Sequence, residues 1–529
     1  MGEVMRPRGT IWVVGLLVSL GMVLGLCACG QQAPEPVKTF IIPEGDYDPA
    51  DWGKAYPLEY DTWLQSKKPP PPGSVYKRSW HAPNFKYDKL SEYPFNALLF
   101  NGWGFGVEYN EPRGHWYMLI DQLEIDPSRL KAGGVCLTCK TPFAPKLRQE
   151  MGAKYFSDPY VEVHAKIPQQ FQRMGVMCID CHDHKTMDLN LSRWTLVKAL
   201  QDLGKDPATL TRQEKRSLVC AQCHVSYVIS KDKDMKSTNV FFPWQGSKVG
   251  DISIENIIKL IQSDPSYLEW KQTVTGFKLG FNRHPEYEFY SRNSTHWKAD
   301  VACADCHMPY MRVGVNKISD HNVGSPLTDH MRACMQCHAE TEEWLRERVV
   351  SAQQRTITLL LRAGYATAAA AKIIEAVNQA QAQGKPIDPN LYQQGKGLYE
   401  QAFYRVNYVG AENSVGFHNP QESERICGDA VAMAGKCAAL MREAAAKAGV
   451  TIPADVYLDL AKYLDHRGLK DLMFQPQEVF TDPFGIQSML TPEASLGLPA
   501  AAAAKPGAPA KPEAPPAKGG AAPAKTGAK

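Results

Sequence analysis

No basic block interleaved with aromatics occurs in these 529 residues, so nucleic acid is not an expected partner. The apolar run at the start, Ile11 to Leu26, is short beside the ~20 residues that span a bilayer comfortably, which leaves an ordinary signal peptide or an uncleaved anchor as its readings. A nucleotide loop is also lacking. Asn101-Gly102-Trp103-Gly104-Phe105-Gly106 alternates glycine, but without the strand–turn–helix setting that gives such a pattern meaning. Backbone passing close to a flat group explains those glycines better.

What is present begins with export. Arg6 and Arg8 precede the apolar run, which ends in Leu26-Cys27-Ala28-Cys29-Gly30, the layout of a secretory signal over residues 1–29. Leucine three residues before Cys29, with alanine just before it, also matches a lipoprotein cleavage box. Cys29 is therefore a candidate acyl tether to a membrane, and the mature chain is expected outside the cytoplasm, periplasmic or otherwise extracytoplasmic.

Fourteen cysteines is a high count, and ten of them fall in five short motifs. The first is Cys136-Leu137-Thr138-Cys139-Lys140. By itself, CxxCK reads equally as a redox dithiol or half a zinc site. The remaining four are Cys178-Ile179-Asp180-Cys181-His182, Cys220-Ala221-Gln222-Cys223-His224, Cys303-Ala304-Asp305-Cys306-His307 and Cys334-Met335-Gln336-Cys337-His338. CxxCH is the attachment pattern of haem c, in which both thiols bond the porphyrin and the next residue binds iron. Four such runs remove the ambiguity from the fifth, so five covalent haem c groups are expected. Lys140 ligates iron only when deprotonated, so its site must desolvate it or capture it with the metal. The formal charge of +3 misleads, because each haem adds two propionates.

Residues 30–130 are rich in proline and aromatics and read as an irregular wrap. Residues 131–340 hold all the haem motifs, at spacings too irregular for a tandem repeat. Residues 341–490 carry helical periodicity over Glu340 to Ala363, Leu391 to Val409, Gln421 to Ala448 and Pro453 to Leu472. These helices either cover the haem core or meet a second copy of the chain. Cys427 and Cys437 lie on one of them about 15 Å apart, which excludes a disulfide. Residues 491–529 are alanine, proline, lysine and glycine and cannot bury a core. The expected fold class is mainly α, a multihaem cytochrome c fold with a haem-packed core and long C-terminal helices.

Of fourteen histidines, His182, His224, His307 and His338 are the proximal ligands. An electron-carrying haem wants a second strong ligand. Ten candidates remain: His81, His115, His164, His184, His284, His296, His321, His330, His418 and His466. Spacing does not choose among them. The haem on Lys140 needs no second ligand, and an open position there is where a substrate would bind.

One CxxCK followed by four CxxCH, in that order, resembles the ammonia-forming cytochrome c nitrite reductases. Pro112-Arg113-Gly114-His115, Cys223-His224-Val225-Ser226-Tyr227, Phe242-Pro243-Trp244, His284-Pro285-Glu286-Tyr287-Glu288, Asp320-His321 and Gly416-Phe417-His418 extend the likeness. The resemblance implies His115 as distal ligand to the haem of His224, His321 to that of His182, His418 to that of His307 and His296 to that of His338. It implies Tyr227 and His284 beside the Lys140 haem. The family's arginine falls on Arg129, with Lys131 or Arg113 as alternatives because the segment after His115 is short. On spacing alone, Tyr227 is a tyrosine beside a ligand and Arg129 a solvated residue.

The implied activity is six-electron reduction of nitrite to ammonium, with hydroxylamine and nitric oxide as further substrates and sulfite as another. The implied partners are a quinol-oxidising membrane cytochrome or a small periplasmic cytochrome as donor, and a second copy in a homodimer. The family commonly holds calcium through a glutamate before the tyrosine and a glutamine before the histidine. Here those positions are Ser226 and Arg283, and the loss of a carboxylate implies that a guanidinium replaces the ion. Two other classes compete: an electron-transfer cytochrome with every iron capped, and an oxidative multihaem enzyme of the hydroxylamine-converting kind.

Overall fold

Helix-forming residues dominate the C-terminal third, and the computed structural model, which describes residues 40–68, 88–465 and 479–480, is mainly α there and throughout. Along the chain, α1 (Pro57–Gln65) lies in the N-terminal wrap and α2 (Arg212–Ala221) leads into the third haem motif. The latter begins at a capping box in which Thr211 and Glu214 satisfy each other's backbone N–H. Among the described residues, strands form only two-stranded antiparallel ribbons, which sequence periodicity did not predict. They are β1 (Val228–Lys231) with β2 (Ser237–Phe241), β3 (Trp270–Lys271) with β4 (Lys278–Leu279), β5 (Tyr310–Val313) with β6 (Asn316–Ser319), and β7 (Val456–Tyr457) with β8 (Val479–Phe480). Between them, α3 (Glu286–Ser291) follows the His284 turn and is buried along its length.

Three long helices close the fold: α4 (Glu342–Ala382), α5 (Pro389–Ala411) and α6 (Pro420–Lys447). Short loops make them antiparallel neighbours, and they pack on one another. Each start has its chemical reason. Thr341, Asp388 and Asn419 accept from backbone N–H groups of the first turn, and Pro389 and Pro420 fit the first helical position.

The sequence expected α4 to stop near Ala363. It runs on because Ala366 and Ala368 to Ala371, strong helix formers, are buried with it against the main core. It ends where Gly384 turns left-handed and Lys385 N–H reaches back to Ala380 O at 3.1 Å. The expected helix from Pro453 to Leu472 is corrected: the chain there makes β7 and only a short helix, Leu460–Asp465, and residues 466–478 lie outside the described residues. Cys427 and Cys437 are buried free thiols on an unbroken α6, as expected.

The largest apolar cluster joins these helices to Leu90, Phe95 and Phe100, while a second surrounds the CxxCK loop with Leu119, Val135, Leu137 and Phe143. A single cavity of about 2100 Å3 is lined by residues from both clusters and by every haem motif. The glycine run Asn101 to Gly106 also lines it. The close approach at Gly102 is to protein, however. A side chain there would meet Lys271 O at 2.7 Å and Thr273 Oγ1 at 2.6 Å.

Candidate active site and haem cradle

The CxxCK loop is shaped by its flanking glycines. Gly133 has φ +64°, and a Cβ at that position would stand 2.1 Å from Phe156 O. The turn thus presses the loop onto the segment Tyr155 to Asp158. Beyond it, Arg193 is buried and ties three attachment loops together. Its Nε donates to Thr138 O at 2.7 Å and its Nη2 to Thr141 O at 2.9 Å, on either side of Cys139 and Lys140. The same Nη2 donates to Asp180 Oδ1 at 2.5 Å, inside the second motif. Gln222, inside the third, accepts from Arg193 N–H at 2.9 Å and donates to Asp180 O at 3.0 Å. An analogous pair, Arg216 to Asp305 at 2.6 Å, anchors the fourth motif to α2. Sequence reasoning missed these residues. Only the recurring acid before the second cysteine hinted at them.

All ten motif cysteines, with Lys140, His182, His224, His307 and His338, line the one cavity. Each of the four histidines faces a second imidazole, and His224 also has His284 at 6.4 Å. Ring centroids are 6.1 Å apart for His115 and His224, 6.2 Å for His182 and His321, 6.2 Å for His307 and His418, and 6.3 Å for His296 and His338. Two metal–imidazole bonds of about 2 Å each, plus the two ring radii, fill that separation, so these residues fit a haem iron between every pair.

Ring nitrogens are sorted accordingly. The Nδ1 of His182 bonds Met187 O at 2.9 Å, that of His307 bonds Gly324 O at 2.9 Å, and that of His321 bonds Ser319 O at 2.8 Å. His418 Nδ1 bonds buried Glu412 at 2.6 Å, and His224 Nδ1 lies 3.5 Å from Glu286. Occupying Nδ1 orients the ring and leaves Nε2 for metal. Of the other described histidines, His164 bonds Gln172 O, His330 faces Glu342, and His184 has a buried Nε2 without a partner among the described residues. His81 and His466 lie outside the described residues.

Arg129, Tyr227 and His284 line the same cavity as Lys140 and Cys136. The guanidinium of Arg129 lies 4.0 Å from the Phe105 ring, and its Nη1 reaches Glu108 O at 3.5 Å. Its Nε is buried without a partner among the described residues. Burial lowers its pKa against the fields of Cys136 and Glu108. Arg113 is differently engaged, donating to Asp121 at 2.5 Å and Glu124 at 3.0 Å. The Lys131 side chain lies outside the described residues. Burial pushes the Tyr227 hydroxyl well above its ordinary range, with Arg283 working against the shift. His284 is pushed down to about 3, chiefly by burial, so its imidazole is neutral.

Arg283 is buried against Glu269, with Nη1 to Oε1 at 2.7 Å and Nη2 to Oε2 at 2.5 Å. Its Nη1 also lies 3.3 Å from Phe281 O and 3.5 Å from Tyr227 O. A fixed cation is thus coordinated by carboxylate and carbonyl oxygens directly behind the tyrosine.

Haem-attachment motifs around one cavity, with imidazoles paired at iron spacing, define a multihaem c-type cytochrome. The family profile of cytochrome c552 matches residues 48–492, and the chain belongs to that family. It is 33% identical over 404 residues to a cytochrome c-552 of Desulfotalea psychrophila, covering 73% of each chain. It is 35% identical over 349 residues to the cytochrome c nitrite reductase subunit NrfA of Nitratidesulfovibrio vulgaris, covering 62% of this chain and 65% of that one. Among solved structures it matches the cytochrome c nitrite reductase of Desulfovibrio desulfuricans, described with two calcium sites, at a TM-score of 0.67 and 30% identity. That match covers 76% of this chain and 87% of the other. The likeness to cytochrome c nitrite reductases therefore extends from motifs to fold.

Proposed function

We propose that this chain reduces nitrite to ammonium, taking up six electrons and eight protons, at a haem held by Cys136, Cys139 and Lys140. Four further haems, held by the CxxCH motifs and the imidazoles facing them, would relay the electrons. One observation carries this reading: the imidazole pairs use eight histidines, while the Lys140 loop shares its cavity with Arg129, Tyr227 and His284. Relay centres are capped on both faces, and one centre is furnished with donors instead.

When bound, the haem held at Lys140 would supply electrons and an iron to take the anion. The chain's own residues do the rest. Cys136 and Cys139 would bond that haem, and Lys140 would hold its iron through the side-chain amine. The permanent charge of Arg129 draws in the anion and, with the His284 N–H and Tyr227 O–H, places hydrogen bonds on oxygens that gain charge as N–O bonds break. Hydroxylamine and nitric oxide, further along the same reduction, use the same donors. Arg283 takes the place a calcium ion holds in the family. Its contacts with Glu269, Phe281 O and Tyr227 O support that substitution. The enzyme works outside the cytoplasm as a homodimer, tethered through Cys29, with a quinol-oxidising membrane cytochrome or small periplasmic cytochrome as donor.

The test compares wild type with Lys140→His in ammonium formation from nitrite and reduced viologen. Wild type makes ammonium, and the variant falls by on the order of 10–100-fold. An oxidised wild-type protein without a high-spin haem signal, and without ammonium formation, makes the chain an electron carrier.

A further inference from the structure

His284 occupies the left-handed backbone region, with φ +48°. That region is uncommon for a residue with a side chain, so neighbours rather than local preference set where the imidazole lies. One neighbour, Arg283, is locked to Glu269. On the other side, past Pro285, buried Glu286 accepts from the Asn413 backbone N–H at 3.0 Å, and Asn413 Nδ2 meets the same Oε1. That Nδ2 also lies 3.2 Å from His284 Nδ1.

These contacts decide which way the amide faces. Glu286 Oε1 is already an acceptor, because a backbone N–H can only donate. The side-chain atom against it must then be the NH2 group and not the amide oxygen. The second hydrogen of that NH2 points to His284 Nδ1, which must offer a lone pair. The ring proton is left on Nε2.

We propose that Asn413 is a positioning residue: held by Glu286, it fixes His284 as the Nε2–H tautomer, so that a hydrogen-bond donor faces the ligand side of the Lys140 haem. The inference rests on the site proposed above and adds a residue that no motif revealed. Glu286 also lies 3.5 Å from His224 Nδ1. One carboxylate therefore braces both this donor and the proximal ligand of the third-motif haem.

The probe is cyanide, which binds an open ferric haem and reports a hydrogen bond at its nitrogen through the C–N stretch. In the five-haem protein, Asn413→Leu and Asn413→Ser are compared with wild type and His284→Phe. Expected is a shift of the Asn413→Leu band toward that of His284→Phe, with affinity lowered about tenfold and Asn413→Ser lying between. Should Asn413→Leu lose haem, Asn413→Ser decides by the same criterion. A wild-type band and affinity in the Asn413 variants, while His284→Phe changes both, overturns the proposal; so does an unchanged band in His284→Phe. Wild type that binds cyanide and shows the series but forms no ammonium from nitrite overturns the nitrite reading and leaves the role of Asn413 standing.

Discussion

Arg193 and Asp180 form an ion pair at 2.5 Å in a place where both side chains are almost wholly shielded, at 3% and 7% exposure. The pair does more than neutralise charge. Through Thr138 O and Thr141 O the guanidinium grips both ends of the Cys139–Lys140 turn, and through Gln222 the aspartate's loop is joined to the third motif. The spacing of three attachment loops is thereby set by three side chains.

Arg193→Met leaves the Asp180 carboxylate buried without its counter-charge, held only by the Met177 N–H among the described residues. Removing one partner of such a pair costs about 3–5 kcal/mol, so the variant's unfolding midpoint in guanidinium falls sharply. Arg193→Met with Asp180→Leu recovers part of that loss. The high-spin signal assigned to the Lys140 haem changes in both variants, because neither restores the grip on Thr138 and Thr141. An unchanged signal in both shows that the turn holds itself.

Arg283 and Glu269 make a second prediction through the same physics. Arg283→Gln strands the Glu269 charge and costs about 3–5 kcal/mol. Wild type, with its own cation in place, keeps full activity after prolonged chelation. In Arg283→Gln, added calcium restores stability if Glu269, Phe281 O and Tyr227 O suffice to bind it. Loss of wild-type activity on chelation, reversed by calcium, sinks the substitution.

Gly133→Ala is expected to remove one haem. The new methyl meets Phe156 O at 2.1 Å in a backbone region that disfavours alanine, so the CxxCK turn cannot seat. The haem-to-protein ratio by pyridine haemochrome falls by one, with the CxxCH sites kept. An unchanged ratio, with wild-type activity, shows that the segment Tyr155 to Asp158 yields.

Much of this was legible in the chain, and the reason is covalent. Cysteine spacing and the residue after it state where each haem is bonded, independent of how the chain folds. The facing imidazoles His115, His296, His321 and His418 were picked out only by a family resemblance. They lie far along the chain from the motif each serves, and no periodicity links them. Long helices were found by their apolar pattern, but α4 was cut short because its alanine run lacks the contrast that reveals a face. The braces (Arg193, Asn413 and Glu269) were invisible, since a polar residue's partner across a fold leaves no local pattern.

Glu288 offers a prediction in pH. It is fully buried, and its Oε1 accepts from Ser226 N–H at 2.8 Å and Trp244 Nε1 at 2.9 Å, while Oε2 has no partner among the described residues. Burial pushes its carboxyl up to about 8 from an ordinary 4.5, against the pull of those hydrogen bonds. Between those values the folded protein keeps a proton that the unfolded chain releases. Stability therefore declines as pH rises from 4.5 to 8, by at most about 1.4 kcal/mol per pH unit, and levels off above. Glu288→Gln has no proton to lose and keeps an acceptor for both N–H groups. Its unfolding midpoint should match wild type near pH 4.5 and exceed it at pH 8. Guanidinium titrations across that range read the difference directly, and parallel curves from pH 5 to 8 mean that Glu288 is ionised in the folded protein.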